Sequence, residues 1–229
     1  HQAVLVAHED KGEKVKVPAT VVSAFEGLSN SDVVRYVNYW EDLTARDEMQ
    51  LFQRFLFAYC SVHTTWESNV AGYNAIKDYS TWRGSRANLR DHLVRVGAGL
   101  HNNRSKWIDD FGAKYWADPK AFQRGNRESW PCYRSRLAGC ITGLGPAKVS
   151  FALELAYPLE AEVLCLDVHM LRAYGKQTQS LKSGEYELYE ADWVARSRAI
   201  QVPPFVVKQI YWDAKQNRPD SRYWSHVLE

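Results

Sequence analysis

Apolar positions in this chain recur at three- and four-residue steps in block after block, and the pattern reads as almost wholly α. Over 45–62, Met49, Leu51, Phe52, Phe55, Leu56 and Ala58 nearly fill the segment, so a long helix crossing the core is expected there. Ser31-Asp32 reads as the cap of a preceding helix carrying Val34, Val37 and Leu43. The same spacing predicts helices over 66–78, 86–96, 103–116, 128–139, 146–157, 186–200 and 204–216, the last opened by Pro203-Pro204. Residues 163–166 form a short apolar stretch that enters Asp167 extended, with a brief helix from Val168, which sets Asp167 at a helix start. Residues 1–19 show no apolar stripe and end at Pro18, as a loose arm would, and 175–184 read as a polar loop. The expected class is all-α.

Length and composition narrow this only moderately. A chain of 229 residues with 45% hydrophobic content can hold one domain, or two small lobes sharing a core. The apolar run at 3–7 is too short for a secretory signal, and nothing approaches the roughly 18–20 apolar residues of a membrane span. A soluble intracellular protein is expected. Residue 1 is His, so a native N-terminus that lies upstream or has been processed is expected as well. Cys60, Cys132, Cys140 and Cys165 lie in apolar contexts without a C-x-x-C pair, which favours buried reduced thiols over zinc. Net charge is only +2, but between residues 83 and 136 twelve Lys/Arg stand against five acids, a local +7. That excess fits a polyanion-binding face or a set of ordinary solvated helix faces.

The densest chemistry lies in 141–172. Gly143 and Gly145 permit backbone torsions that other residues avoid, and Pro146 suits the first turn of the helix that follows. Amides at such a helix start can face a phosphate oxygen. About ten residues beyond that helix comes Asp167, which could serve simply as a helix cap. Taken together, this stretch resembles the helix-hairpin-helix DNA glycosylases. Their Leu/Ile-x-Gly-hydrophobic-Gly hairpin grips the DNA backbone, and their Val/Leu-Asp-x-His-x-x-Arg segment carries the catalytic aspartate. The matching residues are Ile141, Gly143, Leu144 and Gly145, then Leu166, Asp167, His169 and Arg172. Residues 98–108 and 57–66 resemble two further family segments, so the likeness spans roughly 45–215.

The resemblance implies an all-α fold of two lobes with an active-site cleft between them. Residues 45–158 would form the central lobe with the hairpin, and 1–44 with 159–229 the second. It implies a monomeric enzyme that flips and excises a damaged or modified base from double-stranded DNA, in feel closest to the branch acting on 8-oxoguanine. No cofactor is expected. The iron–sulfur cluster of some members needs cysteines beyond Cys165, and there are none. Asp167 would stabilise the sugar cation, and Lys148 would attack C1′ in a bifunctional enzyme with AP lyase activity. Counted from the second glycine the family lysine falls at Ala147, whereas the distance to Asp167 favours Lys148. His169 and Arg172 would hold a flanking phosphate. Gly143, Gly145 and Ala147 would contact the backbone. Asn102, Asn103 and Arg104 would fill the vacated space, with His63 where the family often has Gln or Asn. Trp66, Trp212 and Asp213 would wall the base pocket. Two alternatives share these motifs: a non-excising DNA-binding relative, and a protein acting on hypermodified bases in viral DNA.

Overall fold

The computed structural model describes residues 17–62, 65–176, 181–217 and 224–228. The chain runs through α1 (Ala19–Glu26), α2 (Asn30–Asp42), α3 (Glu48–Cys60), α4 (Trp66–Ile76), α5 (Arg86–Arg95), α6 (His101–Ala117), α7 (Trp130–Cys140), α8 (Pro146–Ala156), α9 (Val168–Ala173), α10 (Glu185–Ala199), α11 (Pro204–Lys215) and α12 (Ser225–Leu228), with 3-10 turns at Tyr79–Thr81 and Pro119–Phe122. Among the described residues there is no strand, and the class is all-α as expected.

Nine of the thirteen residues of α3 are buried, among them Phe52, Phe55, Leu56 and Phe57. A helix apolar on every side belongs in a core, and α3 packs against α8, α4 and α6. Its start is set by Asp47, whose carboxylate accepts from Gln50 N at 2.7 Å, so the helix begins three residues later than the apolar pattern alone implies. The α2 cap is Ser29, not Ser31-Asp32: Ser29 Oγ accepts from Asp32 N at 3.1 Å and donates to the Asp32 carboxylate at 2.7 Å. Asp32 supports the cap from inside the first turn.

Two elements were not expected. The first, α1, follows Pro18 and buries Val21, and the second, α12, seats Val227 and Leu228 in the core. Neither is long enough to show a periodic stripe. The rest of the expected loose arm, residues 1–16, lies outside the described residues.

Buried hydrophobics fall into two clusters. The larger centres on α3 and takes residues from α2 and α4 to α8, with Phe205, Val206, Trp224, Val227 and Leu228. The smaller joins Val21, Leu164, Leu166, Met170, Leu171, Tyr174, Tyr189, Trp193 and Val207. Buried Arg54 ties the chain end to the core, donating to Leu43 O at 2.9 Å and Leu228 O at 3.2 Å. The segment leading to Asp167 belongs to both, giving Ala161 and Val163 to the larger cluster and Leu164 and Leu166 to the smaller.

Candidate active site

The hairpin between α7 and α8 is held from beneath. Ile141 and Leu144 are buried, and Tyr59 Oη donates to Thr142 O at 2.6 Å. Gly143 has φ 88°, and a Cβ there would lie 2.5 Å from Trp107 Cδ2. Gly145 does not use the torsional freedom that a glycine permits. Gly145 has φ −80°, open to any residue, with nothing within 4 Å of a Cβ. Its outer side is open because α8 begins there, and no backbone acceptor among the described residues takes the Gly145 or Ala147 N–H. Gly143→Ala is therefore expected to cost about 3 kcal/mol in stability, from left-handed strain plus overpacking. Gly145→Ala should melt like wild type and weaken any anion held at the helix start. Thermal melts and duplex titrations of the two variants check this, and equal melting would contradict the assignment.

Behind the hairpin lies a pocket of about 190 Å³ lined by Ser61, Thr65, Trp66, Asn69, Lys148, Phe151, Cys165, Asp167, Lys208, Gln209, Trp212 and Trp224. Lys148 and Asp167, distant in sequence, meet here, and Ala147 is not part of the lining. Lys148 is the third residue of α8, and its Nζ donates to Ser61 O and Ser61 Oγ, each at 2.9 Å. Burial pushes its ammonium below the ordinary value; the Lys208 and Arg104 cations add to this, against Cys165 and Asp167. Asp167 caps α9, accepting from Met170 N at 2.9 Å, so its side chain is fixed in direction. Trp66 and Trp212 are both half-buried in the lining. The His169 ring packs edge-on against Trp212, centroids 5.5 Å apart, and so orients a pocket wall. Arg172, one turn further along α9, is exposed.

Three residues of the lining hold buried polar atoms with no hydrogen-bond partner among the described residues: Asn69 Oδ1, Gln209 Oε1 and Trp212 Nε1. Unpaired buried polar atoms are costly, so a polar edge that satisfies some of them would be held with selectivity.

Several expected site residues lie elsewhere. Arg104 is corrected from a surface contact to a buried one: it is 2% exposed and donates to Gly99 O at 2.6 Å and to Val62 O. Its guanidinium satisfies loop carbonyls and cannot reach a duplex. Asp213 is likewise no pocket wall, being 1% exposed and accepting from Tyr36 Oη at 2.7 Å, which joins α2 to α11. Asn103 is exposed, and Asn102, also exposed, accepts from Arg90 Nε at 2.7 Å. His63 lies outside the described residues. Cys132 and Cys140 are exposed, contrary to the expected burial, while Cys60 and Cys165 are buried and pushed up to about 12 by that burial.

The basic segment is also less available than its charge implies. Arg134 is buried against Glu190, Arg86 pairs with Asp109 and Asp110, and Arg136 with Glu128. Within 83–136 the exposed cations without an ion pair among the described residues are Arg83, Arg95, Lys106, Lys114, Lys120 and Arg127. Sequence reasoning missed Asn69, Lys208 and Gln209. A signal was present, since Asn69 lies three residues after Trp66, and Lys208 and Gln209 lie four and three before Trp212, each on the same helix face.

No family model and no curated protein matches the chain. Solved structures do. A crystal structure of the 8-oxoguanine DNA glycosylase of Methanocaldococcus jannaschii superposes with a TM-score of 0.70 at 14% identity, covering 86% of this chain and 94% of that one. An 8-oxoguanine glycosylase/lyase of the same organism, in complex with a 15mer DNA containing 8-oxoguanine, gives 0.70 at 16% identity, covering 86% and 98%. The 8-oxoguanine DNA glycosylase of Thermotoga maritima gives 0.64 at 18% identity, covering 88% and 91%. The chain shares the all-α fold of these proteins. Among the described residues no helix is long and apolar enough to cross a membrane.

Proposed function

We propose, from the fold it shares with the helix-hairpin-helix DNA glycosylases, that this protein excises a damaged or modified base from duplex DNA and acts as an AP lyase through Lys148. The observation that carries the reading is the meeting of Lys148 and Asp167 in one pocket that Trp66 and Trp212 also line. A base inside a duplex is out of reach, so it must rotate into such a pocket and stack on aromatic walls. At about 190 Å³ the pocket is smaller than those that hold drug-sized ligands. That scale suits a single planar base, and an oxidised purine such as 8-oxoguanine is the substrate we propose.

The chemistry follows from the two groups. As the C1′–N bond breaks, its electron pair leaves with the base and positive charge develops on the sugar. The Asp167 carboxylate stabilises that charge. Neutral Lys148 donates its lone pair to C1′, and the proton it sheds passes to Asp167 or to the departing base. Ring opening then leaves an imine between Nζ and C1′, from which β-elimination expels the 3′ phosphate and cuts the strand. Burial of Lys148 favours the neutral amine this requires.

Duplex DNA would lie across the open hairpin amides and Arg172. Each phosphate neutralised releases counterions, so Arg172→Gln is expected to reduce the log–log salt slope by about one and to weaken all sequences alike. An unchanged slope would remove Arg172 from the interface. The reaction itself is tested with a panel of duplexes, each holding one lesion or modified base, treated with alkali after incubation. Strand breaks at 8-oxoguanine are expected. Tight binding with no base release from any duplex would leave a binding protein only.

A further inference from the structure

Residues 162–166 lie in no helix and pair with no strand among the described residues; apart from a turn bond from Asp167 N to Cys165 O at 3.0 Å, their backbone groups must be satisfied by other means. The means are two buried carboxylates. Glu190 Oε2 accepts from Leu164 N at 2.8 Å, and Glu154 Oε1 accepts from Cys165 N at 2.8 Å. Each is held by a buried cation, Arg134 on Glu190 and Lys208 on Glu154, both at 2.6 Å. Tyr186 Oη closes the grip by donating to Leu164 O at 2.5 Å. Carboxylates from α8 and α10 thus hold two adjacent residues just before Asp167, and cations from α7 and α11 hold those carboxylates.

Buried ion pairs are poor devices for stability, because desolvation offsets much of their attraction and apolar replacements of both partners are often neutral. Their worth here is geometric. Glu154 stands on α8 six residues after Lys148, and Lys208 lines the same pocket as Lys148 and Asp167. One rigid helix therefore carries both the amine and the grip on the segment that delivers the carboxylate. We propose that Glu154 and Lys208 are positioning residues that set Asp167 against Lys148, Glu154 holding the backbone at Cys165 and Lys208 holding Glu154. The inference rests on the glycosylase reading above.

The test compares two paired variants under single-turnover conditions on the duplex the wild type cleaves, with duplex affinity and melting followed in parallel. Glu154→Leu/Lys208→Met removes both charges and the acceptor for Cys165 N. Glu154→Gln/Lys208→Met removes both charges and keeps an acceptor oxygen. The leucine pair should lose about a hundredfold in excision rate, as a small misplacement of a reacting group does, with duplex affinity unchanged. The glutamine pair should recover most of that loss. A purely structural role predicts instead that rate and affinity follow the fraction folded. Should the leucine pair fail to fold, Glu154→Asp serves, since it keeps both charges but retracts the acceptor, and a hundredfold slower rate with intact binding is again expected. The inference is overturned if the leucine pair, or Glu154→Asp in its place, works within threefold of wild type, if affinity falls in step with rate, or if the glutamine pair is as slow as the leucine pair. A wild type that excises nothing defeats the glycosylase reading and this inference with it. An active wild type matched by its variants defeats this inference alone.

Discussion

Asp167→Asn is expected to keep the fold and the duplex affinity and to lose about a thousandfold in excision rate. The carboxylate caps α9 through Met170 N, and asparagine caps a helix about as well as aspartate. Melting should therefore stay within about 1 kcal/mol of wild type, which separates chemistry from structure. What the amide lacks is the negative charge that stabilises a cation forming at C1′. The loss should appear in the single-turnover rate and leave the duplex dissociation constant alone. Excision near the wild-type rate would remove Asp167 from the chemistry. A parallel loss of binding would make it a structural cap.

The position of Asp167 and the helices around the candidate site were legible in the sequence, for reasons that differ between residues. Helix positions followed from spacing because apolar burial sets both, and α8 and α11 begin at the prolines that suit a first turn. Asp167 was placed at a helix start by the change from a short apolar stretch to a new helix, and it is there. Helix ends were less legible. They depend on which hydroxyl or carboxylate bonds back to an amide, and Ser29, Ser31 and Asp32 all had the right chemistry for α2. Short α1 and α12 gave no signal, because four to eight residues hold too few turns for a stripe.

Two of the displaced site residues, Arg104 and Asp213, are charged side chains that the fold buries, as it does Arg134, Lys208, Glu154 and Glu190. Each is matched to a partner that lies far off in the chain or is a loop carbonyl, and no local pattern reveals either. Arg104 spans from α6 to Val62 O, and Asp213 meets Tyr36. The local excess of +7 at 83–136 is thus partly spent inside the molecule. Gly145 differs from Gly143. Its torsions are ordinary, so the glycine is explained by what could lie outside it, not by strain.

Lys148→Gln is expected to abolish borohydride trapping and strand cleavage on the substrate duplex while leaving the protein folded and DNA-bound. The count from the hairpin left Ala147 and Lys148 open; in the structure only Lys148 lines the pocket with Asp167. Its Nζ is anchored on Ser61, and glutamine retains a donor for that carbonyl. Because burial, with Lys208 and Arg104 beside it, lowers the ammonium from its ordinary 10.5, the amine should be reactive at a pH where free lysine is still protonated. The sign is definite. The folded state binds the Lys148 proton less tightly than the unfolded chain, so its burial costs stability below the folded value, and that cost disappears as pH rises to the unfolded one. Single-turnover trapping should rise with pH to a plateau whose midpoint lies below 10.5. Conversion of Lys208 to Met should move that midpoint upward, since one neighbouring cation is removed. If base release instead leaves intact abasic strands with no trapped complex at any pH, the nucleophile is water. Lys148 would then be a phosphate or base contact, and Asp167 would carry the excision without it.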